Sequence, residues 1–216
     1  MPTKEWNVEM WGQNHSWVAD GDEFHQFATA RGQDYRLWKD GLVREFLLPH
    51  VSHSIAALEI GCGHGRWSSF LVGAVRKLYL IDIAPPCIEA CRAKFGDGGA
   101  TYILSGGDLG AIPDASIDFV WSFDVLVHVE PEDINTYVRE IDRVLKVGGI
   151  AILHHADNHD RGGSRSAMTA GRMRAFAETT RLAVVSQRDS WGDAYQYSVA
   201  VHGDVISTLA KPANIE

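Results

Sequence analysis

Leu58-Glu59-Ile60-Gly61-Cys62-Gly63-His64-Gly65 decides the fold, because an apolar strand runs there into three alternating glycines and then into a helix-forming segment. Glycines at such a step let the backbone turn sharply and let a ligand lie against the main chain without interference from Cβ atoms. The spacing narrows the choice of ligand. A dinucleotide fingerprint reads G-x-G-x-x-G, whereas here the third glycine falls one place early and Arg66 occupies the expected position. Glu59, at the end of the strand, would repel a pyrophosphate and attract a ligand bearing an ammonium or a sulfonium. NAD is disfavoured, and a nucleoside with a cationic group is expected.

S-adenosylmethionine carries such a sulfonium, and Glu59-Ile60-Gly61-Cys62-Gly63-His64-Gly65 resembles the first motif of the class I S-adenosylmethionine-dependent methyltransferases. The step Leu145-Lys146-Val147-Gly148-Gly149 is a second, independent resemblance, and together the motifs cover Leu58 to Val201. The resemblance implies cofactor contacts from Glu59, Gly61, Cys62 and Gly63, with Asp82 on the ribose hydroxyls and Ile83 beside it. It further implies that Asp108 takes the adenine amino group, that Leu109 covers the ring, and that Phe123 closes the cofactor wall, with S-adenosylhomocysteine as product. Each position has a plainer alternative. The glycines can be a connector, Cys62 a small turn residue, and Asp82 an N-cap for the helix starting at Pro85 or Pro86. An acidic residue about twenty positions beyond a glycine turn is also where nucleoside folds place the ribose acceptor.

Composition bounds the rest. A chain of 216 residues suits one sizeable α/β domain with a short appended segment: residues 1–50 as an aromatic, helical cap and 51–216 as the methyltransferase-like domain. There is no apolar run long enough for a membrane span and no signal-peptide pattern, so a soluble cytoplasmic protein is expected. The three cysteines are odd in number and lack a C-x-x-C pair, which fits reduced thiols. A formal net charge of −8 argues against a nucleic-acid partner and favours a small or uncharged acceptor. Nothing in the sequence fixes the oligomeric state.

Along the chain, Trp6, Trp11, Trp17, Phe24 and Phe27 read as a lid or, equally, as staples fixing an N-terminal arm to the core. Trp38, Leu42 and Phe46 mark an amphipathic helix over Asp34–Leu48, stopped by Pro49. Strands are expected at Ala56–Ile60, Lys77–Ile83, Tyr102–Leu104, Ile117–Phe123 and Ile150–His154, alternating with helices, of which Pro131–Leu145 is the longest. Such alternation predicts a Rossmann-like, doubly wound parallel sheet with its ligand at the carboxyl ends of the strands. The resemblance raises the count to seven strands. A polar loop from His155 to Arg165 is long enough to be functional, Thr169–Thr180 reads as a helix, and Leu182–Trp191 with Tyr195–His202 reads as an antiparallel hairpin about Gly192-Asp193.

Methyl transfer to a hydroxyl needs a base, and histidine is the usual one near neutral pH. His128, His154 and His155 follow the fourth and fifth strands, where the sulfonium is expected, with Asp124 nearby; these four are the catalytic candidates. Asp124 and His128 also resemble the segment by which some O-methyltransferases of quinone biosynthesis hold a divalent ion. Val127 stands where that pattern wants a second carboxylate, so Mg²⁺ assistance would have to borrow His154, His155 or Asp157. The segments His154–Asp157, Arg165–Thr169 and Ser186–Gly192 look like the tail of carbohydrate O-methyltransferases from polysaccharide assembly, including the type that caps methylmannose polysaccharides at the 1-hydroxyl; Asp157 departs from the expected Asn. A sugar-like acceptor is the preferred expectation. Two other classes compete with it, a nucleotide-dependent oxidoreductase and a catalytically silent cofactor-binding subunit.

Overall fold

A computed structural model of the chain describes residues 2–17, 25, 34–157, 164–192, 197–199 and 202–213. Phe24, Phe27 and the centre of the 155–165 loop lie outside the described residues. The strands are β1 (Ala56–Ile60), β2 (Lys77–Asp82), β3 (Thr101–Leu104), β4 (Ile117–Leu126), β5 (Leu145–Ala156), β6 (Ala183–Arg188), β7 (Ser190–Trp191), β8 (Tyr197–Ser198) and β9 (Asp204–Ala210). The helices are α1 (Lys4–Glu9), α2 (Tyr35–Leu42), α3 (Ser68–Leu71), α4 (Pro85–Phe95), α5 (Pro131–Val144) and α6 (Ala170–Ala177).

Seven strands form one sheet in the order β3-β2-β1-β4-β5-β9-β6, parallel from β3 through β5, with β9 antiparallel to both of its neighbours. The order reverses beside β1, which is the switch point where an open α/β sheet leaves a crevice for a ligand. All five residues of β1 are buried, as a central strand covered on both faces must be. Alternation then sorts its neighbours: Leu58, Ile60, Val120 and Leu153 share a core with Ile134, Val138 and Ile141 of α5, while Ala57, Phe119, Trp121 and Ile152 pack with Leu42 and Phe46. The expected N-terminal helix is present, capped by the Asp34 side chain on the amides of Arg36 and Leu37 at 2.9 and 3.2 Å. It continues through a π-helical turn at Val43–Leu47 before reaching Pro49.

The predicted C-terminal antiparallel hairpin is present, as a ribbon separate from the main sheet. β6 stops at Arg188, Ser190–Trp191 pairs with Tyr197–Ser198 in a separate two-stranded ribbon, and the strand that enters the main sheet is β9, beyond the predicted Tyr195–His202 segment. What distinguishes β9 is a run of buried residues, Asp204 to Ser207, packed between β5 and β6. β5 also starts at Leu145, so the glycines at 148 and 149 lie inside the strand and do not merely precede it.

One irregularity matters for the site. The pairing of β4 with β5 slips between Ser122 and Leu126, and within that slip Asp124 has φ +66°, a left-handed backbone that a residue with a Cβ rarely adopts. No described helix is long and apolar enough to cross a membrane.

Candidate active site at the strand ends

The carboxyl ends of β1, β2 and β4 meet at a cavity open in part to solvent. Its floor is the glycine turn. Gly61 has φ +75°, and a Cβ there would lie 2.3 Å from Val125 Cγ2; at Gly63 (φ +50°) a Cβ would meet the end of the Trp17 ring at 2.9 Å. Both glycines line the cavity, and the side chains of Val125 and Trp17 press directly against their main chain. Asp82 closes this floor. Its Oδ2 accepts the Gly63 N–H and its Oδ1 the Ala84 N–H, each at 2.9 Å, so the carboxylate ties the glycine turn to the end of β2. Burial raises the Asp82 carboxyl from its usual range, and the backbone donors hold part of that rise back. Ala84, not Asp82, stands at the N-cap of α4, which leaves Asp82 with the cavity as its remaining outlook. Cys62, Ile83 and Phe123 line the cavity, as the resemblance implied.

Three other residues named for the cofactor lie off the cavity wall. Glu59 is 1% exposed and absent from the cavity wall; its Oε2 accepts from the Ser68 hydroxyl at 2.7 Å, and burial pushes its carboxyl well above the usual range. Burial thus disfavours its charged form. Its Oε1, however, is buried with no hydrogen-bond partner among the described residues, an acceptor left over directly behind the glycine turn. Asp108 is exposed, its Oδ1 accepting from Gly110 N at 2.8 Å, and does not reach the cavity. Leu109 is fully buried in the core against the α5 side of the sheet. The short β3 ends before these residues, and the Ser105–Gly110 turn folds back on itself: the Ser105 hydroxyl accepts from the Gly107 and Asp108 amides at 3.0 and 3.1 Å.

The roof comes from the N-terminal segment. Asn7, Trp11 and Trp17 line the cavity, with Asn7 Nδ2 donating to His128 O at 2.7 Å and Trp17 Nε1 to Trp11 O at 2.9 Å. Trp17 stacks on His64 with centroids 4.3 Å apart and planes 9° apart. The lid and staple alternatives thus coincide, since the same residues are pinned to the core and face the cavity.

The catalytic candidates separate sharply. His154 and His155 are consecutive strand residues and so point to opposite faces. His155 is fully buried on the α5 side, its Nδ1 2.8 Å from Ala156 O and its Nε2 2.7 Å from Ser207 Oγ, with burial holding its pKa down to about 4. It is a core residue, and its expected role as a base is corrected. His154 is 2% exposed, stacks on Phe123 at 4.2 Å, and accepts the Asp124 N–H on Nδ1 at 3.0 Å. The lone pair a base would need is already engaged, so the first-choice base of the sequence reading is also displaced. His128 is not among the residues lining the cavity, but its tautomer suits a base: Nδ1 lies 2.6 Å from Ser164 O and so carries the proton, which leaves Nε2 as the basic nitrogen. Its ring packs 5.0 Å from that of Trp11, and burial lowers its pKa, opposed by the Asp124 charge.

Asp124 lines the cavity with Arg66, their charged atoms 3.7 Å apart. That pairing and the engaged His154 Nδ1 leave a poor donor set for Mg²⁺, which wants several oxygens. Among the described residues no three His, Cys, Asp or Glu side chains gather where they could hold a metal ion. The described residues do not fit the Mg²⁺ alternative. Arg66, His64 and Asn7 were missed as wall residues in the sequence; Arg66 and His64 flank the glycine motif directly, and that adjacency was the available signal.

The sheet order and the glycine-floored crevice define the class I methyltransferase fold, the fold of S-adenosylmethionine-dependent methyltransferases. Residues 58–153 match the family described as "Methyltransferase domain". A Mycobacterium tuberculosis protein named "Probable O-methyltransferase" is 31% identical over 152 residues, 66% of this chain and 65% of its own length, so the chain spans just under two thirds of that relative. Among solved structures, an S-adenosylmethionine-dependent methyltransferase from Clostridium acetobutylicum superposes with a TM-score of 0.66 at 12% identity, covering 89% of this chain and 99% of the other. One from Leishmania major gives 0.69 at 13% identity, covering 95% and 82%.

Proposed function

We propose that the protein is an S-adenosylmethionine-dependent methyltransferase acting on a hydroxyl of a small ring-bearing acceptor, a sugar by preference. The observation that carries this reading is the cavity floor, two left-handed glycines latched by Asp82 at the switch point of the sheet. The name of the mycobacterial relative supports the hydroxyl, and the indole faces of Trp11 and Trp17 suit the flat side of a ring. Asp82 would accept from the ribose hydroxyls, Ile83 and Phe123 would supply apolar contacts, and the glycine backbone would lie under the amino-acid portion of the cofactor. The bound cofactor supplies a methyl group on a sulfonium, activated for in-line displacement. What the chain adds is alignment, exclusion of water and a place for one proton. As the acceptor oxygen takes the methyl group, its proton passes to His128 Nε2, while Nδ1–H stays on Ser164 O and keeps the ring from turning. The thioether product is S-adenosylhomocysteine.

The test uses tritiated S-adenosylmethionine with a panel of mono- and disaccharides and simple phenols. His128→Ala should lower kcat by roughly 10²–10⁴-fold and leave S-adenosylhomocysteine affinity nearly unchanged. In the wild type, kcat should fall on the acid side with a midpoint below about 6.5, the ordinary histidine value, because burial depresses the His128 pKa and the neutral ring is the active form. Full activity in His128→Ala would remove the base. Tight cofactor binding with no turnover on any hydroxylated acceptor would instead favour the silent binding subunit.

A further inference from the structure

The slip in β4 poses a hydrogen-bonding question. Between Ser122 and Leu126 the strand leaves register with β5, so the Asp124 N–H has no ladder carbonyl opposite it. A buried amide without an acceptor is costly. The acceptor is a side chain on the neighbouring strand, His154 Nδ1, at 3.0 Å. Since Nδ1 accepts, the neutral ring carries its proton on Nε2, which lies 3.6 Å from Asp204 Oδ2, beyond hydrogen-bond reach, and is buried without a hydrogen-bond partner among the described residues. Asp204 is itself buried on β9 and bonded to Arg165, whose segment follows the long polar loop. Burial alone would raise the Asp204 carboxyl, but the His154 ring and Arg165 draw it below its usual range, so it stays an anion behind the imidazole.

The consequence lies on the cavity side. Holding Asp124 at φ +66° puts its carboxylate on the cavity wall beside Arg66 and brings the next residue, Val125, down on Gly61. Bulges that re-aim a side chain recur next to active sites, and they persist only where the surroundings over-determine them. We propose that His154 is a positioning residue, stacked on Phe123 beside the Asp204–Arg165 pair, whose Nδ1 pins the β4 bulge and thereby sets Asp124 and Val125 against the cofactor floor. Its effect on catalysis rests on the methyltransferase reading above; its effect on the bulge does not.

Three substitutions separate positioning from chemistry. In His154→Asn the amide oxygen stands near the place of Nδ1 and cannot titrate, in His154→Gln it stands a bond too far, and in His154→Phe the stack on Phe123 remains without an acceptor. On the full-length protein, hydrogen exchange of the Asp124 amide should quicken by roughly tenfold or more in the Gln and Phe variants and stay close to wild type in Asn. S-adenosylhomocysteine affinity should follow the same order. In methyl transfer, Gln and Phe should lose roughly tenfold in kcat, and Asn should recover it with the acid limb of the pH profile unmoved. An Asn variant that protects the amide yet is as inactive as Phe would make His154 a chemical participant and overturn the proposal. So would an Asp124 amide that stays protected in both Gln and Phe. If the Phe variant does not fold, the Asn and Gln pair decides alone. If the wild type transfers no methyl group at all, it is the methyltransferase reading that falls, and amide exchange still judges the bulge.

Discussion

The two walls of the cavity are made in opposite ways. The wall at β1 and β2 is built on main chain: Gly61 and Gly63 contribute backbone, Asp82 accepts backbone N–H groups, and Cys62 and Ile83 stand beside them. The wall at β4 and β5 is side chain. There a strand bulge turns Asp124 and Val125 inward, and a histidine thirty positions away supplies the acceptor that the ladder lacks. A backbone wall tolerates no added atom where a fixed side chain rests on it, whereas a side-chain wall tolerates replacement by any group that repeats its hydrogen bond. Both meet where Val125 rests on Gly61.

The hardest blow to this contrast is Gly61→Ala. A methyl group there would overlap Val125 Cγ2 at 2.3 Å on a residue already at φ +75°, combining steric conflict with a backbone that alanine resists. Together these should cost about 3 kcal/mol or more, seen as at least a hundredfold loss of S-adenosylhomocysteine affinity by calorimetry and a lower Tm. Wild-type affinity in that variant would mean the β4 wall yields freely, and the distinction between the walls would be lost. Asp82→Ala comes next. It strips acceptors from the Gly63 and Ala84 amides along with the proposed ribose contacts, and should weaken binding by about 2–3 kcal/mol. Unchanged affinity would confine Asp82 to bracing the turn.

The same contrast explains what could be read from sequence. The backbone wall is contiguous, so Gly61, Gly63 and Asp82 announce themselves by spacing within two strands and the turn between them. So does the parallel half of the sheet, where apolar runs alternate with helical periodicity. The side-chain wall depends on register, and a one-residue slip reverses which side chain faces which layer. His154 and His155 look equivalent in a string ending β5; the pleat sends one to Phe123 and the other to Ser207. Asp204 and Arg165 carry no local motif at all, and their meeting with His154 needs β9 to lie beside β5. Asp108 shows the converse. Its motif position fits the family pattern, but the Ser105–Gly110 turn holds it away from the cavity.

The finest test compares the two glycines of the backbone wall with each other. Gly63 resembles Gly61 in having a left-handed φ, but the atom its Cβ would meet is the far end of the Trp17 ring, at 2.9 Å, which belongs to the N-terminal roof and not to the sheet. A ring tip can swing aside at small cost, while Val125 is held by the bulge and, through Asp124, by His154. Gly63→Ala should therefore cost little more than the backbone strain, roughly 1–2 kcal/mol in S-adenosylhomocysteine affinity. Truncating the roof with Trp17→Ala removes the contact, so in the double variant the two losses should fall short of additivity, the overlap having been counted in only one of them. The corresponding cycle of Gly61→Ala with Trp17→Ala should be additive, since those side chains do not meet. If Trp17→Ala relieved Gly61→Ala as well, roof and floor would form one coupled body, and the β4 bulge would not be what makes the first glycine indispensable.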